Sequence, residues 1–274
     1  MIDLHTHTTA SDGRCTPAEL VSLASAAGVR VLSVTDHDTV AAWEAASTAC
    51  AGAGIELVPG IEITAIAGGA DVHVLGYFID VHEPALQSFL AEQRRRRIDR
   101  VRQMIERLGS LGISLDAEAI LGPGIDDTSK AVGRPWIARA LVAGGHVETT
   151  SQAFDRWLSR GRPAFVPRLG AQPEEVFARI HEAGGIASLA HPGLLGHDEW
   201  IAGFASAGLD AVEAYHPEHD PASTRRYLGL AERLGLAVSG GSDYHAGLTH
   251  GAAGPGGVVL PLERYEKLKS RRRN

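Results

Sequence analysis

The sequence predicts an α/β fold in which repeated strand–helix units surround a parallel sheet or barrel. Short apolar runs rich in β-branched residues alternate along the chain with Ala- and Leu-rich amphipathic segments. The length of 274 residues suits an α/β barrel that folds as one unit. With 44% hydrophobic and 22% charged residues, the chain has the composition of a globular protein with a sizeable core.

Seven short segments have the composition of strands. They are residues 2–5, 31–35, 56–64, 72–78, 186–190, 211–215 and 237–240. Helical patterns lie between several of them, at residues 17–27 and 173–183. The first of these helices has Thr16 as its N-cap and Pro17 at its first position. This alternation is typical of a parallel sheet.

The alternation is interrupted after residue 81. Residues 84–108 have the apolar spacing of one long helix, and three shorter helices are predicted at 116–121, 135–143 and 152–159. We therefore predict a barrel domain formed by residues 1–81 and 165–274, with a helical subdomain, residues 82–164, inserted into it. Substrate selection is expected to reside in the insertion.

Charge, cysteine content and hydropathy narrow the class of protein. A net charge of −7 opposes non-specific attraction to nucleic acid, so stable binding of double-stranded DNA is not expected. Cys15 and Cys50 are too few for a disulfide framework, which indicates a reducing compartment. The chain has neither a basic leader with an apolar core nor a run of about 18 apolar residues. We expect a cytoplasmic protein that is not inserted in a membrane.

Imidazole and carboxylate side chains stand where the first two predicted strands end. His5 and His7 are two residues apart, so on an extended chain both point the same way. Asp12 follows in the next loop, and His37 follows the second strand in the run Thr35-Asp36-His37-Asp38. Core packing does not explain ionisable groups at these positions.

The later strands continue the pattern. Glu62 lies between two β-branched residues in the third strand, and a buried carboxylate needs a partner. His73 lies in the fourth strand, His191 follows the fifth, and Asp243 and His245 follow the last. The carboxyl ends of parallel strands meet on one face of a barrel. We therefore expect all nine residues to lie together and to bind divalent metal ions.

Four motifs contain most of these residues: Asp3-Leu4-His5-Thr6-His7, Thr35-Asp36-His37, Ala190-His191-Pro192-Gly193 and Gly241-Ser242-Asp243-Tyr244-His245. Together they resemble the motifs of the PHP (polymerase and histidinol phosphatase) family of metal-dependent phosphoesterases. The resemblance covers about residues 1–80 and 164–250, and the inserted helices resemble those of members that act on nucleotides. It implies a distorted (β/α)7 barrel of the TIM type with a helical insertion.

The resemblance also implies a site for two or three divalent ions, Mn, Fe or Zn. The implied ligand groups are His5, His7, Glu62 and Asp243 for one ion, Glu62 again with His73 and His191 for a second, and Asp12, His37 and His245 for a third. In such a site a hydroxide that bridges the ions attacks phosphorus, and the remaining positive charge stabilises the transition state.

Basic residues that flank the end of the insertion are candidates for binding a phosphate. They are Lys130, Arg134, Arg162 and Arg168. Arg forms a bidentate fork with phosphate oxygens, whereas Lys acts as a point charge. Arg134 is the first choice because similar segments of nucleotide-acting relatives carry this Arg, and Arg162 is the second. The run 94–97, four arginines, points around more than one face of a helix and is predicted to be solvated.

Other polar residues have predicted roles near the metals. His216, just past a predicted strand, is assigned to phosphate binding or to protonation of the leaving group. Asp36 and Asp38 are expected to orient ligand imidazoles. Relatives often have His where this chain has Trp136. The histidines without ligand spacing, predicted to lie on the surface, are His82, His146, His181, His197, His219 and His250.

The function implied by the resemblance is hydrolysis of a nucleotide phosphomonoester, the 3′-phosphate of a nucleoside 3′,5′-bisphosphate. The expected partner is a small phosphorylated substrate, a nucleotide or short RNA. Three alternatives stay open: 5′-to-3′ trimming of short RNA, hydrolysis of histidinol phosphate, and a metal-binding module without activity. Such modules often lose ligands, whereas this sequence has all nine.

Overall fold

A computed structural model of the protein describes residues 1–246 and 254–272. Seven strands form one sheet whose spatial order follows their order along the chain. The strands are β1 Ile2–Asp3, β2 Val31–Val34, β3 Glu56–Ala67, β4 Ala70–Tyr77, β5 Ile186–Leu189, β6 Ala211–Tyr215 and β7 Ala237–Gly240. The Leu4 N–H donates to the Gly240 carbonyl over 3.2 Å, which brings the first and last strands together. The sheet is therefore nearly closed, and the predicted barrel is confirmed.

Strand directions differ from the expectation at one strand. β1 to β3 are parallel, as are β5 to β7, but β4 is antiparallel to both of its neighbours. The expectation of a wholly parallel sheet is thus wrong. Its physical reason is the Gly68-Gly69 turn, whose φ angles of 54° and 75° join Ala67 to its partner Ala70 in a hairpin.

Helices lie outside the sheet, some packed against its strands and some, between β4 and β5, in a group of their own. They are α1 Pro17–Ala26, α2 Trp43–Ala53, α3 Pro84–Ser110, α4 Ala117–Asp126, α5 Arg134–Ala143, α6 Thr150–Ala153, α7 Pro173–Glu182, α8 Pro192–Leu195, α9 Ile201–Ser206, α10 Pro221–Leu234 and α11 Leu262–Lys269. As predicted, Thr16 caps α1, where it forms a capping box with Glu19. A π-helical turn, Phe154–Leu158, follows α6, and a 3-10 turn, Asp198–Trp200, precedes α9.

Buried apolar side chains form separate clusters in the barrel and in the helical region. The larger cluster joins the strands to the helices that cover them, for example Ile63 on β3 to Phe177 on α7. A second cluster runs from Val101 to Val166 and lies among α3 to α6. This separate core supports the insertion at residues 82–164, whose boundaries stay a prediction. Among the described helices, none has the length and apolar character needed to cross a membrane.

Candidate metal centre and substrate cavity

His5 and His7 follow β1 on extended chain, and both are fully buried. Between them, the Thr6 hydroxyl points the other way and donates to the Ser33 carbonyl over 2.8 Å. This alternation sends both imidazoles towards the carboxylate of Glu62, with Nε2–Oε2 distances of 3.5 Å for His5 and 3.3 Å for His7. The two-residue spacing therefore has the consequence predicted from the sequence.

Glu62 lies at the centre of the site. Its neighbours Ile61 and Ile63 point into the apolar core, so its own side chain faces the opposite side of β3. Its oxygens lie within 3.5 Å of a nitrogen on each of five histidines: His5, His7, His37, His73 and His191. Burial opposes ionisation, but His37 and His73 hold the pKa of Glu62 well below its usual range.

The antiparallel direction of β4 explains the position of His73. This residue pairs with Thr64 on β3, and its Nδ1 lies 2.8 Å from Oε1 of Glu62. Because β4 runs opposite to its neighbours, its first half lies at the end of the sheet where the parallel strands finish. His73 therefore reaches the site from within a strand, although the other histidines follow strand ends.

Asp243 is held by a tight approach between the first and last strands. A side chain at Gly241 would lie 2.3 Å from the backbone nitrogen of His5, so only glycine fits there. Asp3 then anchors the turn by accepting the N–H and hydroxyl of Ser242 over 2.9 and 2.7 Å. The Asp243 backbone has a φ of 49°, and its Oδ1 lies 3.3 Å from Nε2 of both His5 and His7.

Asp12 forms a second centre beside Glu62. Its oxygens lie 3.2 Å from Nε2 of His245, 3.6 Å from Nε2 of His37 and 3.7 Å from Nδ1 of His7. Burial opposes ionisation, yet His37 and His245 hold the pKa of Asp12 well below its usual range. Asp12 and Asp243 in turn raise the pKa of His245 to about 10, against the effect of burial. The site thus favours bound positive charge.

The donor set fits divalent metal ions. Ligand atoms within 4.8 Å of one another form four groups: His7, Asp12, His37 and His245; His5, His191 and Asp243; His5, His7 and Glu62; and His37, Glu62 and His73. Nitrogens of His5, His7, His37 and His73 are buried without a hydrogen-bond partner. Neutral imidazole lone pairs and carboxylates in such groups are ligands of transition-metal ions.

The groups differ in three details from the implied ligand sets. His7 lies with Asp12, His37 and His245 as well as with Glu62, and His191 lies with His5 and Asp243 as well as with Glu62. His37 also lies with Glu62 and His73. All nine predicted residues are nevertheless together. Their division among two or three ions stays a prediction, as does the identity of the metals.

A cavity of about 480 Å³ opens beside these residues. Arginines form much of its remaining lining: Arg14, Arg97, Arg134, Arg139 and Arg168. Arg134, the first choice for a phosphate ligand, therefore lies in the cavity, as does Arg168. Lys130 and Arg162 do not. Lys130 lies 4.0 Å from Asp127 on the surface, and Arg162 is exposed, so phosphate contact by either residue stays a prediction that the cavity lining does not support.

The prediction of a solvated run at residues 94–97 is also wrong for two of its members. Arg94 and Arg97 are 9% and 6% exposed, whereas Arg95 and Arg96 are exposed and pair with Glu92. Residues three apart share a helix face. That face of α3 points at the barrel, so Arg97 reaches the cavity, and Arg94 donates to the Asp38 carbonyl.

The two aspartates beside His37 do not orient imidazoles. Asp36 accepts hydrogen bonds from the Thr8 and Ser11 hydroxyls. Asp38 is fully buried and pairs with Arg97 and, over 3.6 Å, with Arg168. The predicted role of Asp38 is corrected accordingly, because the guanidinium groups occupy the carboxylate that was expected to bind an imidazole.

His216 lies behind Asp243 instead of in the cavity. Its ring is 1% exposed, its Nε2 lies 3.3 Å from Oδ2 of Asp243, and its Nδ1 accepts the Glu218 N–H over 3.2 Å. Because Nδ1 accepts a hydrogen bond, the ring proton of His216 lies on Nε2, which donates to Asp243. His216 does not line the cavity, so its contact with phosphate or the leaving group stays a prediction without support from this geometry. Trp136 donates from its indole N–H to the Ser11 carbonyl over 3.0 Å.

Two buried polar residues beside the metal-fitting side chains are not among the predicted site residues. Glu213 is fully buried against His5 and His191, and His219, predicted at the surface, is 8% exposed next to the same turn. His181 is half-buried and lies 2.7 Å from Asp210. Glu62 was predicted because it is a lone carboxylate inside an apolar strand. The same pattern applies to Glu213 in Ala211–Tyr215. His250 lies outside the described residues.

A barrel end that brings nine metal-fitting side chains together beside an arginine-lined cavity defines a metal-dependent hydrolase of phosphate esters. The PHP domain description matches residues 3–122. The chain is also 38% identical over 250 residues to the 5′-3′ exoribonuclease Rnm of Salmonella typhimurium, across 89% of this chain and 84% of that protein. It belongs to the PHP family of metal-dependent phosphoesterases.

One further relative and one solved structure are similar over most of the chain. The 3′,5′-nucleoside bisphosphate phosphatase of Chromobacterium violaceum is 35% identical over 255 residues, across 89% of this chain and 87% of that protein. A solved structure from Bifidobacterium adolescentis, assigned as a metal-dependent phosphoesterase, superposes with a TM-score of 0.89 at 33% identity. That superposition covers 99% of this chain and 96% of the other.

Proposed function

We propose that the protein removes the 3′-phosphate of a nucleoside 3′,5′-bisphosphate. The observation that carries this proposal is the lining of the cavity. Metal-fitting residues lie on one side, where bound ions would attract one phosphate, and arginines that outnumber the carboxylates lie on the other, where they suit a second. A monoester with one phosphate needs only the first. A substrate with two phosphates uses both.

The arginine surplus follows from a count of charges. We use the name arginine cluster for Arg97, Arg134 and Arg168, which line the cavity, together with Arg100, which shares Asp71 with Arg134 and Arg168. Two carboxylates face it: Asp38 pairs with Arg97 and Arg168, and Asp71 lies 3.1 to 3.8 Å from Arg134, Arg100 and Arg168. Four guanidinium groups against two carboxylates leave an excess of two positive charges, which suits a phosphate dianion.

Burial makes this excess positive charge costly without an anion. The side chains of Arg97 and Arg100 are each 7% exposed, and that of Arg168 is 11% exposed. Burial and the neighbouring Arg97 lower the pKa of Arg168 to about 9. An anionic substrate group would stabilise these charges where water has limited access.

The lining beyond the arginines suits a nucleoside. Phe154, at the start of the π-helical turn, lines the cavity together with the hydroxyl residues Thr150, Ser151 and Ser159. π-Helical turns are common at functional sites. An aromatic ring stacks on any base, so this lining supports nucleotide binding without strong preference for one base.

Divalent ions held by the nine residues would supply Lewis acidity and a nucleophile from water at neutral pH. The chain itself supplies the positions of both reacting partners. The arginine cluster holds the second phosphate, and this contact fixes the distance of the scissile ester from the metal-fitting residues.

Trimming of short RNA from its 5′ end is the second candidate, favoured by the 38% identity to an exoribonuclease. It would use the same cavity, with the arginine cluster on a terminal phosphate. Histidinol phosphate suits the site poorly, because its ammonium group would face the arginine cluster. A module without activity is disfavoured by the presence of all nine residues.

The test compares substrates on the Mn²⁺-loaded protein. We expect adenosine 3′,5′-bisphosphate to yield 5′-AMP and phosphate. Its kcat/KM should exceed that of 3′-AMP by roughly 10- to 100-fold, the worth of one hydrogen-bonded charged group. Phosphate release from simple sugar phosphates but not from nucleotides would overturn the proposal. An end-labelled oligoribonucleotide, degraded faster than the bisphosphate, would favour the second candidate.

A further inference from the structure

We propose that Glu213 is a positioning residue of the metal centre, which sets the tautomer of His5 and holds the backbone that carries His191. Glu213 lies on β6, a strand that contributes no direct ligand candidate, and its side chain is fully buried. Its Oε1 lies 3.0 Å from Nδ1 of His5, and its Oε2 accepts the His191 N–H over 2.7 Å. The inference concerns metal binding and does not depend on which ester is the substrate.

The contact with His5 determines which ring nitrogen is free. An ionised carboxylate only accepts hydrogen bonds, so Nδ1 of His5 has to carry the proton. The Nε2 lone pair is then available, and this atom is buried without a hydrogen-bond partner, 3.3 Å from Asp243 and 3.5 Å from Glu62. Carboxylate partners of ligand imidazoles act in this way in metal sites.

The contact with His191 stabilises a backbone conformation that is unfavourable for residues other than glycine. His191 has a φ of 26° and a ψ of 58°, outside the regions that such residues ordinarily adopt. The hydrogen bond from its N–H to a charged oxygen is a strong one. With the backbone so held, the imidazole of His191 lies 3.1 Å from Glu62.

His219 contacts the next part of the same turn, at Gly193. Its Nε2 accepts the Gly193 N–H over 3.2 Å, and its Nδ1 faces the Ala214 carbonyl at 3.1 Å. A side chain at Gly193 would lie 2.8 Å from the His219 ring. The segment from Glu213 to His219 thus holds two successive parts of the turn that carries His191.

The barrel contains a matched control for this arrangement. Asp210, beside the start of β6, has its Oδ2 2.7 Å from Nε2 of His181 and accepts the Ala187 N–H over 2.9 Å. It therefore makes the same pair of contacts as Glu213, to one imidazole and one backbone N–H. Asp210 lies at the opposite end of the strand, away from the nine metal-fitting residues.

The experiment replaces each carboxylate by its amide. Glu213→Gln keeps the size of the side chain but retains one acceptor for two N–H groups, so the NH₂ group faces one donor and favours the wrong tautomer of His5. We expect Mn²⁺ affinity, measured by equilibrium dialysis and elemental analysis, to fall about 10- to 100-fold. Asp210→Asn should bind Mn²⁺ like the parent protein. Equal affinity of Glu213→Gln and the parent would overturn the proposal.

A second measurement needs no substitution. In the Zn²⁺-loaded parent protein, a two-bond ¹H–¹⁵N correlation spectrum distinguishes the two tautomers of each histidine. His5 is expected to carry its proton on Nδ1, and a proton on Nε2 would refute the proposal even if Glu213→Gln did not fold. Neither readout involves a substrate, so failure of the proposed bisphosphatase activity would leave both results unaffected.

Discussion

The two sides of the cavity are built in different ways. The metal-fitting residues follow or lie within strands of one barrel and are held by backbone contacts such as the Leu4–Gly240 hydrogen bond. The arginine cluster comes from α3, α5 and the segment before α7, and it meets Asp38 and Asp71 of the barrel. The same ion pairs therefore join the helical region to the barrel and form the proposed phosphate site. We therefore expect substitutions on the metal side to reduce bound metal and kcat, and substitutions in the arginine cluster to reduce stability or substrate binding.

The largest effect is expected on the metal side, from Asp243→Ala. This carboxylate lies 3.3 Å from both His5 and His7, and its loss removes a charged ligand. We expect kcat to fall more than about 1000-fold, as for removal of an essential electrostatic group, together with loss of bound metal. Steady-state kinetics and elemental analysis check this. Full activity of the variant would refute its place in the metal centre.

The metal side was largely predictable from the sequence, because a strand restricts where its side chains point. Spacing by two fixed the directions of His5 and His7, and a carboxylate between β-branched residues identified Glu62. The strand boundaries were close as well, with β6 and β7 at their predicted ends. Strand–helix alternation predicts a parallel β4, whereas the Gly68-Gly69 turn indicates the hairpin that reverses its direction.

The arginine side was predictable only in part, since Arg134 and Arg168 were candidates but Arg97 and Arg100 were not. Helix surfaces and long side chains leave more freedom than strands do. Arg94, Arg97 and Arg100 are spaced by three and continue the buried face of α3, a pattern that the consecutive run 94–97 obscures in the sequence. Whether such a face meets solvent or carboxylates depends on packing between distant segments. Lys130 and Arg162 lie close in sequence to Arg134 and Arg168, but closeness in sequence does not determine that packing.

The next largest effect is expected from Asp38→Ala, which tests whether the arginine cluster joins the helical region to the barrel. Asp38→Ala leaves Arg97 and Arg168 buried with one fewer carboxylate. Removing one member of a buried ion pair costs about 3–5 kcal/mol, so we expect a clear loss in the free energy of unfolding. Urea denaturation of the metal-loaded protein measures it. Unchanged stability would mean that these ion pairs do not hold the helical region in place.

A smaller effect is expected from Arg134→Ala, which tests binding alone. Arg134 is half-buried, lines the cavity and lies 3.1 Å from Asp71. Loss of one charged hydrogen-bond donor should raise KM for adenosine 3′,5′-bisphosphate roughly 10- to 100-fold. Metal content should stay that of the parent, in contrast to Asp243→Ala. Loss of metal from this variant would instead place Arg134 on the metal side.

The smallest effect is expected from Arg162→Ala, the matched control for Arg134→Ala. Arg162 is exposed, and the contact that it makes through its backbone N–H to the Ser159 carbonyl, 3.0 Å long, survives the substitution. An exposed charge contributes little, so we expect KM to change less than about twofold and the free energy of unfolding to change by less than about 1 kcal/mol. Both variants remove one arginine near the end of the helical region, so net charge changes equally. If KM rose as much as in Arg134→Ala, long-range charge and not contact in the cavity would govern binding, and the proposed phosphate site would lose its support.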